Sequence, residues 1–162
     1  MDAHWNVLYV KPRCEKKVVE HCGVLKLDYY LPLRCETKIY QRRKVTVEKP
    51  VFPGYVFVAF DREGRLNLLK SNQIVRILEP PDEGQLLHEL AQIKKALAVD
   101  PTLGASSAVR KGIAVRIIAG PFMGVEGIVT SLKGTTTVRL NVELIGQAVV
   151  LEVDRDYLEV LG

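Results

Sequence analysis

The chain alternates between apolar runs of two periods. Trp5–Lys11 (WNVLYVK) is a short run of aromatic and β-branched residues, the pattern of a buried strand. Over Cys14–Lys26, Val18, Cys22 and Leu25 recur at helical spacing while Glu15, Lys16, Lys17 and Glu20 fall on other faces, which predicts an amphipathic helix. Gly23 weakens its last turns. Tyr29–Tyr40 and Lys44–Lys49 read as extended strands, with Gln41-Arg42-Arg43 at the turn of a basic hairpin. Pro50-Val51-Phe52-Pro53-Gly54 breaks the pattern before Tyr55–Phe60 (YVFVAF), which is apolar throughout, as a central strand would be. Asp61–Ser71, with Leu66, Leu68 and Leu69, predicts a short helix, and Ile74–Leu78 a strand stopped by Pro80-Pro81. Asp82 can cap a helix whose apolar positions are Leu86, Leu87, Leu90, Ile93 and Leu97. This order predicts an α+β domain over residues 1–98, an antiparallel sheet with flanking helices.

Residues 99–109 (VDPTLGASSAV) are small and polar and read as a flexible linker. After them the period changes. Ile113–Ile118, Val125–Lys133, Thr136–Val142 and Gln147–Val153 are short β-branched runs punctuated by Gly120, Gly124, Gly134 and Gly146. Evenly spaced short strands with turn signals predict a small β-barrel over residues 110–162.

Composition narrows the classes. At 162 residues the chain suits one domain or two small ones, and no apolar stretch approaches a membrane-spanning length. The start, Met1-Asp2-Ala3-His4-Trp5, lacks the basic and apolar regions of a signal peptide, so a cytoplasmic protein without membrane contact is expected. Cys14, Cys22 and Cys35 form no CxxC pair, and His4, His21 and His88 have no metal-ligand spacing. No nucleophile–base pair or paired carboxylates stand out, so neither an enzyme nor a metal or other cofactor is expected. The net charge of +4 is uneven. Residues 1–77 hold 15 Lys/Arg against 8 Asp/Glu, a net of +7, whereas residues 99–162 hold 6 against 7, a net of −1. Basicity confined to the first part points to a polyanion contact there, or to a solvated basic face.

Two motifs carry a resemblance. KPVFPGYVFV (Lys49–Val58) resembles the FPGYV signature of NusG N-terminal (NGN) domains, and WNVLYVKPRCEKKV resembles the strand-to-helix start of the same domain. VRKGIAVRIIAGPFMGVEGIV (Val109–Val129) is similar to the KOW motif, with its GPFxGxxG core at Gly120-Pro121-Phe122, Gly124 and Gly127. RLNVELIGQAVVLEV (Arg139–Val153) resembles the rest of the KOW barrel, which is SH3-like. Together, in this order, they resemble the NusG/RfaH family of transcription elongation and antitermination factors across nearly the whole chain.

The resemblance implies an N-terminal domain that docks on the clamp helices of RNA polymerase through Tyr9, Phe52, Pro53, Gly54, Tyr55 and Phe57. Strand alternation puts Tyr55 and Phe57 on one face and Val56 and Val58 on the other, and the sequence leaves open which face covers the helices. It also implies contact with upstream DNA or the displaced non-template strand through Lys11, Arg13, Lys16, Lys17, Arg42, Arg43 and Lys70. Arg62, Arg65 and Asn67 lie where the family can touch the opposite side of the polymerase cleft. Phe122, Met123 and Ile145 match the KOW loop positions that meet Rho or a small-subunit ribosomal protein, with Phe122 the candidate for exposure. Many housekeeping members have an aromatic where Ile145 stands, which leans the reading from a general factor coupled to Rho or the ribosome towards a specialised antiterminator acting as a monomer. RfaH-like members can refold this domain into helices, but Val, Ile and Thr, including Thr135-Thr136-Thr137, favour strands here. A ribosome-associated KOW protein that binds RNA is the other alternative, and it would carry its basic charge on the barrel.

Overall fold

A computed structural model describes residues 2–109, 111–132 and 135–162. In chain order the elements are β1 (His4–Val10), α1 (Glu15–Val24), β2 (Tyr29–Tyr30), β3 (Leu33–Tyr40), β4 (Arg43–Pro50), β5 (Tyr55–Phe60), α2 (Arg62–Leu69), β6 (Ile74–Leu78) and α3 (Glu83–Val99). They continue as β7 (Ala105–Ser107), β8 (Ile113–Ile117), β9 (Glu126–Val129), β10 (Thr135–Val142), β11 (Gln147–Asp154) and β12 (Leu158–Val160). The three helices expected from periodicity are present, and so are the strands, except that the one expected over Tyr29–Tyr40 is two, β2 and β3, in different sheets, and that β9 ends at Val129, the expected end at Lys133 lying outside the described residues. β7 and β12 are additional, and β7 lies inside the segment that composition marked as a linker.

Packing groups the chain into two units. The first holds Met1–Pro32 and Phe52–Leu87, and the second Leu33–Val51 and His88–Gly162. The sheet of the first unit has the order β2-β5-β1-β6 with every neighbouring pair antiparallel. One face of this sheet buries Leu8, Val10, Val56, Val58 and Phe60 together with Val18 and Cys22 of α1 and Leu68 of α2. The Val56/Val58 face is therefore the one that covers α1 and α2. Helix α2 begins where the Asp61 side chain accepts a hydrogen bond from the Gly64 N–H (2.8 Å), and Asp82 caps α3 in the same way through the Gln85 N–H (3.1 Å). Burial raises the Cys22 thiol to about 11, so it behaves as a small apolar core residue.

In the second unit β3 and β4 form a separate two-stranded ribbon, paired from Leu33↔Pro50 to Tyr40↔Arg43. Its base is tied to the segment after α3 by the Cys35 N–H to the Pro101 carbonyl (2.7 Å) and by Arg34 to the Thr102 carbonyl (3.3 Å). The remaining strands make a six-stranded antiparallel sheet, β12-β8-β9-β10-β11-β7, around Val115, Ile117, Val129, Val138, Leu140, Val149 and Leu151. Among the described residues no ladder joins β12 to β7, so the sheet is open where a closed barrel was expected. The 88–99 part of α3 is joined to this sheet by polar contacts. Gln92, itself buried, accepts from the Glu126 N–H (2.9 Å), and Glu89 accepts from the Glu143 N–H (3.3 Å).

Gly127 shows why the glycine-rich motif is needed for packing. A Cβ there would lie 2.6 Å from Val138 Cγ1 and 2.9 Å from the Arg139 carbonyl oxygen. The Gly127→Ala variant should lose roughly 1–3 kcal/mol by overpacking, seen as a lower denaturation midpoint. An unchanged midpoint would mean that β9 and β10 sit further apart than described.

Candidate functional site

The site grows out of the β1–β5 ladder. Register places Val7 opposite Phe57, Leu8 opposite Val56 and Tyr9 opposite Tyr55. Since Leu8 and Val56 face α1 and α2, Val7, Tyr9, Tyr55 and Phe57 share the other face. Along that face burial ends abruptly. Val7 and Phe57 are fully buried, while Tyr9 is 38% exposed and Tyr55 half-buried. The two tyrosine rings meet at 5.2 Å with a 42° tilt, a tilted aromatic pair at the rim of the sheet. On the other side of β1, Arg76 pairs with Tyr9, so a guanidinium joins the tyrosines on one row. Arg76 is exposed, and the sequence reading missed it. The available signal was a single charge inside an otherwise apolar strand, Ile74-Val75-Arg76-Ile77-Leu78.

The turn that delivers Tyr55 is fixed from below. The Gly54 N–H donates to Glu15 Oε2 (2.9 Å), and the Gly54 carbonyl accepts from the Val10 N–H (2.8 Å). Glu15 is only 7% exposed, so its carboxylate lies in the protein rather than in water. Gly54 has φ +91°, and a Cβ there would come within 3.0 Å of the Tyr9 ring. Both facts require glycine. Pro53 is exposed beside it.

Two expected surface residues are corrected. Phe52 is 1% exposed and packs edge-on against Phe57, ring centroids 6.5 Å apart. Both rings lie in the interior and present nothing to a partner. The reason is that β5 is covered on both faces, as its unbroken apolar sequence implies, and Phe52 completes the packing around Phe57. The accessible part of the surface is Tyr9, Pro53, Gly54 and Tyr55, with Arg76 alongside.

The basic candidates divide between the units. Lys11 and Arg13 are exposed on the turn after β1, and Lys16 and Lys17 are exposed on the first turn of α1. The Lys11 N–H donates to the Gln73 carbonyl (2.9 Å), which ties this turn to the loop following exposed Lys70. Arg42 and Arg43 are exposed at the far end of the β3–β4 ribbon, in the other unit. Arg62 and Arg65 border an open cleft of about 400 Å³ that Trp5, Asp61, Glu79 and Glu83 also line. Arg65 reaches Glu79 at 3.5 Å. Hydrogen bonds from the Trp5 N–H (2.7 Å) and His4 hold the Glu83 carboxyl below its ordinary value. Among the described residues no group of His, Cys, Asp and Glu could hold a metal ion.

In the β8–β9 connection, the Met123 N–H donates to the Gly120 carbonyl (3.2 Å) and the Val125 N–H to the Phe122 carbonyl (3.1 Å). This tight turn exposes Met123 at 68%, whereas Phe122 is half-buried. Met123, rather than Phe122, is the prominent apolar group of this loop. Ile145 is half-buried in the short helical turn Glu143–Ile145.

Residues 3–96 match the family model described as transcription termination factor nusG. The chain belongs to the NusG family. A curated NusG of Borreliella burgdorferi, described as a transcription termination/antitermination protein, is 21% identical, with 98% of this chain and 99% of that protein aligned. A solved structure of Thermotoga maritima NusG has the same fold with a TM-score of 0.53 at 18% identity, covering 100% of this chain and 99% of that one. This NusG-family transcription factor thus keeps the family fold at low sequence identity. Among the described residues no helix is long and apolar enough to cross a membrane.

Removing the Glu15 carboxylate should free the Gly54 amide. In Glu15→Ala, hydrogen exchange at Gly54 should accelerate and stability should fall by about 1–3 kcal/mol, the usual cost of orphaning a buried donor. Unchanged Gly54 protection would show that the turn holds itself.

Proposed function

We propose that this NusG-family protein binds the clamp helices of RNA polymerase through the rim formed by Tyr9, Pro53, Gly54 and Tyr55, and that it modulates pausing and termination as an antiterminator. The observation that carries the reading is the tilted Tyr9–Tyr55 pair, partly exposed at the end of a ladder whose middle rungs, Asn6–Leu8 against Val56–Val58, are buried. Aromatic rings held in place by strand pairing offer contact area at little rotamer cost, which suits an interface anchor. Phe52 and Phe57 support this surface from inside. Arg76 extends it with a charge that could pair with acidic groups on the partner.

In this reading residues 1–98 act as the polymerase-binding module and residues 110–162 as a KOW module. Lys11, Arg13, Lys16, Lys17 and Lys70, together with Arg42 and Arg43, approach upstream DNA or the displaced non-template strand, giving a salt-dependent and largely sequence-independent affinity. The KOW module meets a small-subunit ribosomal protein or Rho through Met123, Phe122 and Ile145. Ile145, standing where many general factors carry an aromatic, supports antitermination over Rho-coupled termination. No step of this function needs a cofactor.

A pull-down of the full-length protein with core RNA polymerase tests the docking surface. Tyr9→Ala and Tyr55→Ala should each weaken binding about tenfold, a hot-spot loss above 1 kcal/mol, while lowering the denaturation midpoint less than the loss of a fully buried ring. Phe52→Ala should lower the midpoint more, since a buried ring is worth about 3–5 kcal/mol. Wild-type affinity in both tyrosine variants would end the proposal. Transcription run-off with and without Rho should show read-through increased by the protein.

A further inference from the structure

The β3–β4 ribbon has a sidedness that its sequence hides. Residues 33–50 contain six Lys/Arg and two Asp/Glu, a net of +4 that equals the net charge of the entire chain. Directly paired residues of an antiparallel ribbon share a face. The pairs Arg34↔Lys49, Glu36↔Val47, Lys38↔Val45 and Tyr40↔Arg43 therefore lie on one face, and Cys35↔Glu48, Thr37↔Thr46 and Ile39↔Lys44 on the other. The first face carries four cations, one anion and the Tyr40 ring. The second is close to neutral. Tyr40 is 67% exposed, and its cross-strand neighbour Arg43 is exposed too.

On the first face Lys49 bridges Glu36 at 3.0 Å, and Arg34, Lys38 and Arg43 are the cations outside that pair. The turn is unusual. Gln41 (φ 48°) and Arg42 (φ 65°) both occupy the left-handed region, where two-residue hairpin turns normally use Asn and Gly. Arg42 thus places a further cation at the tip.

A cationic face alone fits any phosphate backbone. An exposed aromatic ring set among the cations adds a feature that a duplex, with its bases stacked on one another, does not use. Flat rings flanked by Lys and Arg are how single strands are held, the base on the ring and the backbone on the charges. We infer that the Tyr40 face of the ribbon is a platform for an unpaired nucleotide strand, with a base stacked on Tyr40 and its flanking phosphates met by Lys38 and Arg43. This rests on the reading above that the basic hairpin approaches nucleic acid, and it names the state of the strand and the residue that senses it.

Fluorescence anisotropy of the full-length protein with a short labelled single-stranded DNA, and with the matching duplex, tests this. Tyr40→Ala should lower single-strand affinity about tenfold, within the usual range of one stacked base, while Tyr40→Phe retains it. The salt slope should stay unchanged in Tyr40→Ala and fall by about 0.7 in Arg43→Ala, as one lost phosphate contact requires. Duplex affinity should respond to Arg43→Ala and not to Tyr40→Ala. Far-UV circular dichroism melts should match wild type, since Tyr40 is 67% exposed and Arg43 exposed. If Arg43→Ala weakens binding and Tyr40→Ala does not, the platform is overturned and the charge-only contact stands. If neither variant has an effect, the ribbon is not a nucleic-acid contact at all, while the polymerase pull-down still reports separately on the tyrosine rim.

Discussion

The pairing of β1 with β5 is the constraint from which the first unit follows. Its register, from His4↔Phe60 to Tyr9↔Tyr55, decides every residue's face at once, because a slip of one position would exchange the two faces. With the observed register Leu8, Val56, Val58 and Phe60 meet α1 and α2, and Val7 and Phe57 are buried on the reverse. The tyrosine rim is therefore the last rung of the ladder that makes the core. The closing of that ladder depends on Glu15, a residue of α1, whose buried carboxylate holds the Gly54 amide. Helix, turn and rim are one mechanical piece, and a partner that grips Tyr9 and Tyr55 grips the core.

Much of this was legible in the sequence because it rests on period and on punctuation. The unbroken apolar run YVFVAF, the helical recurrence of Leu86, Leu90 and Ile93, and the capping Asp82 each encode a local structure that the tertiary fold does not override. What was not legible required long-range information. Phe52 belongs to a breaker-rich segment that reads as a loop, and only the ring of Phe57, brought round by the chain, turns it inward. β7 is three small residues, Ala105-Ser106-Ser107, with no strand signal of its own, and it exists because β11 offers it an edge. Arg76 acquires meaning only from its register with Tyr9. In the β8–β9 turn, hydrogen bonds rather than hydrophobicity decide that Met123 faces outward and Phe122 partly inward.

Family membership and geometry contribute different parts of the functional reading. The NusG match over residues 3–96 establishes the kind of protein. The structure then separates residues that a motif treats alike. Within Phe52-Pro53-Gly54-Tyr55, one ring supports from inside, one residue is required by backbone angle and close approach, and one ring is partly presented. The same separation applies to charge. The cations of the β1–α1 turn and those of the ribbon belong to different packing units.

The turn at Gln41-Arg42 carries a consequence for how this chain could change over generations. Holding an ordinary L-residue in the left-handed region costs about 1–2 kcal/mol apiece, and an Asn-Gly pair would avoid most of it. A lineage under heat stress therefore has a ready route to a firmer ribbon, but it gives up the guanidinium at the tip by taking it. Relatives that live hot and keep Arg at this position would be showing that the charge outweighs the strain. Those that have traded it away would have had to find their grip on the strand somewhere else.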